Sequence, residues 1–120
     1  MSVSGSHLLA DFTGLDRQLC LDGERWIRTF TEVARAWRLS VISAESHVFE
    51  PPKLPGMTAY VLLDASHFSV HTFATWGMAA LDLFVCTDRE LSEAFRTLCT
   101  SLQIQEQHVR RVRTVERFGA

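Results

Sequence analysis

The sequence has few cysteines and no cysteine pair at a recognisable spacing. Cys20, Cys86 and Cys99 are odd in number and far apart in the chain. They form neither a C-x-x-C motif nor the disulfide framework of a small secreted protein. This usage favours a reducing cytoplasm as the compartment.

Long apolar runs and an excess of positive charge are also lacking. No apolar run approaches the roughly 18 residues that a membrane-spanning helix needs, and no basic segment followed by an apolar one marks a secretion signal. The net charge is −2, so the chain offers no basic field to neutralise phosphates or anionic lipids. We therefore expect neither nucleic acid nor a membrane among its partners.

Apolar residues recur at steps of three and four in two stretches of the chain. The pattern predicts one helix from about Asp22 to Trp37 and a second that covers Leu91 to Leu102. Thr87 or Asp88 is the expected N-cap of the second helix. Each helix has a single apolar stripe, so each needs one sheet face to cover it.

The other apolar segments are short and rich in β-branched and aromatic residues, which is typical of strands. The three prolines lie together in one loop between the second and third strands. A chain of 120 residues is long enough for one hydrophobic core, so we predict that residues 1–120 form a single domain of α+β class. We predict a two-layer α/β sandwich, a mostly antiparallel sheet covered on one face by two helices, with a homodimer burying the other face. The predicted strands lie near residues 7–13, 39–49, 58–64, 66–72, 78–86 and 105–115.

One segment carries residue types suited to covalent chemistry. Ser66, His71 and Cys86 could serve as nucleophile, base and acid on adjacent strands. Taken singly, a strand serine is usually a hydrogen-bonded polar residue and a cysteine ending a strand a small core residue. On a straight strand, Ser66 and His71 would face opposite sides, so a bend or bulge between them is expected if they act together.

Two other sites could use the same segment. A metal site could use His67, His71 and Cys86, but no fourth ligand stands at a recognisable spacing, and we predict no metal. A Ser-His-Asp hydrolase could recruit Asp82 or Asp64, but the G-x-S-x-G motif of such enzymes is missing.

The segment from Asp64 to Cys86 resembles the processing site and following strand of bacterial S-adenosylmethionine decarboxylase proenzymes, whose pattern is E-S-H-x-x-x-H-T-W-P-E-x-G-x-A-A-x-D-x-F-x-C. The resemblance continues through Gly5-x-His7-Leu8, through His47-x-Phe49 and to a hydroxyl at Thr58 where the family has serine. The tripeptide Glu45-Ser46-His47 also spells E-S-H, but it lacks the downstream histidine and cysteine. The residues that match the pattern are Ser66, His67, His71, Thr72, Gly77, Ala79, Ala80, Asp82, Phe84 and Cys86.

The resemblance implies self-cleavage between Ala65 and Ser66, giving fragments 1–65 and 66–120. The Ser66 hydroxyl would attack the Ala65 carbonyl, and elimination would leave a pyruvoyl cofactor derived from Ser66. By the same resemblance, His71 and Thr58 assist processing and Cys86 donates a proton during turnover. The pyruvoyl group would form a Schiff base with the α-amine of a small-molecule substrate and accept the electrons released with carbon dioxide.

The departures from the pattern concern the substrate. Ala65 replaces a glutamate, and Phe73-Ala74-Thr75 replaces W-P-E, whose glutamate binds the ribose hydroxyls in the family. Thr75 cannot make that bidentate contact, although Phe49 and Phe73 could still stack on adenine.

Three functions stay open at this point. The first is decarboxylation of S-adenosylmethionine for spermidine synthesis. The second is decarboxylation of a basic amino acid, ornithine or arginine, with Asp64, Glu50 or Asp82 meeting the distal cation. The third is an unprocessed, catalytically silent homologue that acts as a binding partner.

Overall fold

The computed structural model describes residues 3–119, which form one six-stranded sheet with two helices. The strand order is β2-β3-β4-β5-β1-β6, and all five neighbouring pairs are antiparallel. This confirms the predicted fold class. The elements are β1 Gly5–Phe12, α1 Gly23–Ala36, β2 Val41–Phe49, β3 Gly56–Leu63, β4 His67–Phe73, β5 Met78–Val85, α2 Ser92–Ser101 and β6 Val109–Arg117.

Helix α1 begins and ends close to where its sequence pattern predicted. The Asp22 carboxylate caps it by accepting a hydrogen bond of 3.1 Å from the Arg25 amide, and Trp37 follows its last turn. Its apolar stripe includes Trp26, Phe30 and Val33, all essentially buried against the sheet. Burying side chains of this size stabilises the fold by about 1.5–3 kcal/mol each.

The predicted N-cap of α2 is wrong. The helix begins at Ser92 after an N-cap at Leu91, and Leu91 makes no side-chain capping bond. The Thr87 hydroxyl instead accepts a hydrogen bond of 3.0 Å from the Arg89 amide. Thr87 thus forms a local turn that ends β5, because a short polar side chain can bond its own neighbouring backbone as readily as it caps a helix.

The sheet has one covered face and one uncovered face. Residues of even parity on β1 and β4, such as Leu8, Phe12, Phe68 and Val70, are buried beneath the helices. On the opposite side, which we call the uncovered face, no element of residues 3–119 packs over the central strands. Apolar side chains remain exposed there, at Leu9, Leu62, Phe73 and Met78.

Register relations carry the uncovered face across the whole sheet. One row runs Glu45, Tyr60, Ser69, Asp82, and continues to Leu9 on β1. The next row toward the β4–β5 turn contains His47, Thr58, His71 and Ala80.

Within residues 3–119 no helix is long and apolar enough to span a membrane.

Candidate active site

Ser66 and Cys86 meet where β4 begins and β5 ends. Ser66 lies in the turn between β3 and β4, 8% exposed, and its Oγ accepts a hydrogen bond of 3.2 Å from the Cys86 amide. The Cys86 thiol donates to the carbonyl oxygen of Ala65, 3.1 Å away. A hydroxyl, the carbonyl that precedes it and a thiol therefore occupy one small volume.

A crevice opens beside these groups, between the β3–β4 turn and the segment that connects α1 to β2. Its volume is about 210 Å³, and Arg38, Ser40, Asp64, Ser66 and Cys86 are among the residues that line it. Pockets for small organic ligands usually have volumes of about 300–1,000 Å³. The crevice of one chain is therefore smaller than most such pockets.

Thr58 and His71 form a second polar pair on the uncovered face. They lie directly opposite each other on β3 and β4, and a hydrogen bond of 2.8 Å joins the Thr58 hydroxyl to Nδ1 of His71. The hydroxyl can donate to the ring nitrogen or accept from its N–H, depending on which nitrogen of the imidazole holds the proton.

The structure does not bring the two pairs together within one chain. His71 lies five residues beyond Ser66, or about 16 Å along an extended strand. The pairing of β4 with both neighbours continues in unbroken register from His67 to Phe73, so β4 contains neither bend nor bulge. The Ser66 side chain is buried, whereas that of His71 is exposed on the uncovered face.

The two aromatic residues predicted to bind adenine contact each other. The rings of Phe49 and Phe73 are 6.1 Å apart between centroids, in an edge-to-face arrangement on the uncovered face. Thr75 lies exposed in the following turn, between β4 and β5. Both features are at the end of β4 opposite Ser66, and the Thr58–His71 pair lies between.

The family comparisons agree with one another. The profile of the S-adenosylmethionine decarboxylase family matches residues 6–114. The chain belongs to this family. It is 34% identical over 100 residues to the S-adenosylmethionine decarboxylase proenzyme of Thermoplasma volcanium, covering 82% of this chain and 75% of that protein. Identity to the proenzyme of Thermosipho africanus is 29% over 110 residues, covering 91% and 82%.

A solved structure shares the fold as well. The crystal structure of the adenosylmethionine decarboxylase from Aquifex aeolicus superposes with a TM-score of 0.73 at 28% sequence identity. The match covers 98% of this chain and 92% of that one. The similarity therefore includes both helices and the complete sheet.

Two residues of the family pattern have structural roles in this member. The Thr72 hydroxyl is fully buried, donates to the Cys20 carbonyl and accepts a hydrogen bond of 3.0 Å from the Met57 amide. Gly77 has a φ of +61°, and a Cβ there would lie 2.4 Å from the Leu15 carbonyl oxygen. Thr72 thus joins β4 to the segment around Cys20, and Gly77 allows the β4–β5 turn to approach Leu15 closely.

Sequence reasoning missed a polar cluster on the uncovered face near Ser66. The Nε2 of His7 lies 2.7 Å from an Asp82 carboxylate oxygen, and Arg117 contacts its Nδ1 at 3.2 Å. Partial burial, together with the neighbouring His7 ring, lowers the pKa of His67. The signal was present in the matched His7 and Asp82, but only the β1–β5 register shows that they touch.

The alternative serine and the alternative metal site are not supported by the geometry. Ser46, the serine of the alternative E-S-H tripeptide, packs beneath α1, where a Cβ on Gly23 would lie 2.5 Å from its side chain. His67 and His71 share a face but are four residues apart, or about 13 Å. Among residues 3–119, no group of three or more histidine, cysteine or acidic side chains is arranged to hold a metal ion.

Proposed function

We propose that this chain is a pyruvoyl-dependent S-adenosylmethionine decarboxylase that cleaves itself between Ala65 and Ser66. Family membership supports the reaction, and one observation carries the site: Cys86 contacts both the Ser66 hydroxyl and the Ala65 carbonyl. The product would be the aminopropyl donor of spermidine synthesis. The three cysteines, all free, are consistent with a reducing cytoplasm.

The residues around Ser66 fit formation of the pyruvoyl group. Attack of the Ser66 oxygen on the Ala65 carbon replaces the peptide bond by an ester, and the thiol at 3.1 Å can stabilise the oxygen that gains charge. Elimination then releases 1–65 with a terminal carboxylate. Water completes the change at residue 66, ammonia leaves, and 66–120 begins with a ketone.

In turnover the pyruvoyl group supplies an electron sink for decarboxylation. The chain's own residues would bind the substrate and move protons. Cys86, exposed and next to residue 66, is placed to return a proton to the substrate carbon after carbon dioxide leaves. Phe49 and Phe73 would bind the adenine ring through their exposed faces.

We further propose that the working site forms between two copies of the chain. Three observations support a site shared by two copies. Ser66 and His71 are roughly 16 Å apart along the chain of an extended strand. The crevice at Ser66 is small, and the uncovered face exposes apolar residues. A two-fold axis across the strands near Ser69 would place the Ser66 end of one sheet over the partner subunit's His71. Thr58 and His71 would then assist processing from the opposing sheet.

The direct test is release of labelled carbon dioxide from carboxyl-labelled S-adenosylmethionine. The purified protein should release it, and the Ser66→Ala variant should release none. Parallel reactions with labelled ornithine and arginine complete the test. Release from either amino acid, with none from S-adenosylmethionine, would replace the proposed substrate. Failure with all three would favour the silent binding partner.

A further inference from the structure

Arg38 has a backbone conformation that arginine rarely adopts. It is the first residue beyond the C-cap of α1, and its φ of +58° lies in the left-handed region where glycine usually ends a helix. Hydrogen bonds hold this turn, from the Arg38 amide to the Arg35 carbonyl at 3.0 Å and from the Leu39 amide to the Ala34 carbonyl at 2.8 Å. Residues with a Cβ are strained in this region, and such strain is often found at functional sites.

The Arg38 side chain borders the crevice beside Ser66. Trp37 and Leu39, its neighbours in the chain, pack against the core beneath the helices, whereas Arg38 is exposed. Arg38, Ala65 and Ser66 line the same crevice of about 210 Å³. Because the crevice is small and an arginine side chain is long, the guanidinium is within reach of the carbonyl end of Ala65.

The guanidinium of Arg38 is the uncommitted cation at this crevice. Within residues 3–119 the one ion pair joins β1 to β5, so Arg38 has no acidic partner in the uncut chain. Arg89, the other arginine near Trp37, lies over the ring of that tryptophan, with its guanidinium carbon 3.7 Å from the ring centre. The acidic residue that lines the crevice is Asp64. The crevice of the uncut chain therefore contains one positive and one negative charge.

Self-cleavage would change the charge of this crevice. When the ester at Ala65 is broken by elimination, its carbonyl becomes a terminal carboxylate, and residue 66 gains no charge to balance it. The new carboxylate is adjacent to Asp64, so two negative charges then share the crevice. An opposite charge within about 4–6 Å stabilises carboxylates in such a position. Arg38 is the lining residue that can supply this charge.

A role of Arg38 toward the substrate is less suitable. An arginine bound to the carboxylate that leaves as carbon dioxide would stabilise the bound substrate more than the transition state, in which the carboxylate is losing its charge. The segment from Trp37 to Ser40 also comes from the helix layer, whereas the proposed working site lies between two uncovered faces.

We propose that Arg38 binds the carboxylate that self-cleavage creates at Ala65 and so keeps the cut end of fragment 1–65 in the crevice. The planar guanidinium can bind both carboxylate oxygens at once. This rests on the proposed function, since cleavage at Ser66 produces the carboxylate. The end of β3 then stays next to residue 66, where the Leu63 amide donates a hydrogen bond of 2.9 Å to the Ser66 carbonyl.

The test measures how fast a carboxypeptidase removes Ala65 from self-cleaved protein at neutral pH, followed by the mass of fragment 1–65. Arg38→Gln removes the charge, and Gln103 already has a φ of +57° at the end of α2, so glutamine is compatible with this backbone. Removal of Ala65 should be about 2- to 5-fold faster in Arg38→Gln than in the wild type, as expected for a pair open to solvent. The control is Arg35→Gln, which removes an exposed arginine of α1 outside the crevice and should match the wild type.

A melting curve separates binding of the new carboxylate from a general effect on folding. Arg38→Gln should lower the Tm of self-cleaved protein, and the loss should shrink in about 1 M salt, which screens exposed charges. In the uncut Ser66→Ala background the same substitution should change the Tm little, because the carboxylate is absent. An equal loss of Tm in cut and uncut protein would overturn the inference.

The outcomes separate this inference from the proposed function. If the wild type releases carbon dioxide from S-adenosylmethionine and Arg38→Gln loses Ala65 no faster than Arg35→Gln, the inference is overturned and the function stands. If the wild type is cut but releases no carbon dioxide, faster loss of Ala65 in Arg38→Gln supports the inference while the proposed substrate falls. A higher KM for S-adenosylmethionine with unchanged loss of Ala65 would assign Arg38 to the substrate and overturn the inference. A wild type that stays uncut overturns both.

Discussion

The Sγ of Cys86 lies 3.1 Å from the carbonyl oxygen of Ala65, although the two residues are 21 positions apart in the chain. The antiparallel pairing of β4 and β5 creates this contact, because it returns the end of β5 to the turn that precedes β4. The same residue bonds the Ser66 hydroxyl through its amide. In the proposed function, Cys86 acts first in self-cleavage and again in turnover.

Removing the hydroxyl of Ser66 should abolish self-cleavage. Ser66→Ala leaves no nucleophile beside the Ala65 carbonyl, so denaturing electrophoresis should show one uncut chain and the decarboxylase assay no activity. Ser46→Ala is the matched control, since Ser46 belongs to the other E-S-H tripeptide. Loss of cleavage in Ser46→Ala, with cleavage retained in Ser66→Ala, would show that the chain is cut at Ser46 on β2 and would contradict cleavage at Ser66.

Changing Cys86 should separate processing from turnover. Cys86→Ser keeps a donor toward the Ala65 carbonyl and should still cleave, but kcat should fall by about 10²-fold or more because the positioned proton donor is altered. Cys99→Ser, which changes a thiol on α2, serves as the control. Full kcat in Cys86→Ser would show that another group donates the proton.

Two inactive variants should complement each other. Ser66→Ala retains His71, and His71→Ala retains Ser66, so a mixed dimer has one site with both groups if the site forms between copies. Coexpressed variants should regain part of the activity and part of the cleavage, and each alone should lack the activity. Coexpression without any recovery would indicate that Ser66 and His71 act within one chain.

The fold could be predicted from the sequence because the hydrophobic pattern of each helix and strand is local. The candidate site could be predicted only in part. Helix α1 and the six strands follow from periodicity and strand composition, whereas the start of α2 was missed because the Thr87 hydroxyl bonds the nearby Arg89 amide and does not cap the helix. The motif identified Ser66, His71 and Cys86. It could not show which of them touch, since that depends on cross-strand register.

Restoring the carboxylate at position 75 should improve use of S-adenosylmethionine. Thr75→Glu returns an acceptor pair to the exposed β4–β5 turn, so KM should fall while self-cleavage is unchanged. Thr75→Gln is the control, because it has similar size without the charge. An equal fall in KM in both variants would mean that the charge of the added side chain is not what binds the ribose.

Thiol reactivity should single out Cys86. Burial raises the pKa of Cys20 and of Cys99 to about 11, so both remain protonated at pH 8, whereas Cys86 is exposed. Iodoacetamide at pH 8 should therefore modify Cys86 first in the native protein, as peptide mapping would show. Equal labelling of all three cysteines in folded protein would contradict the placement of these thiols.

The central claim, self-cleavage at Ser66, is tested most directly by an intact-mass spectrum of the purified protein. The account predicts two fragments, 1–65 and 66–120, the second lighter by one ammonia than a fragment that begins with serine and resistant to N-terminal sequencing. A single chain with the mass of the uncut sequence after prolonged incubation would contradict it.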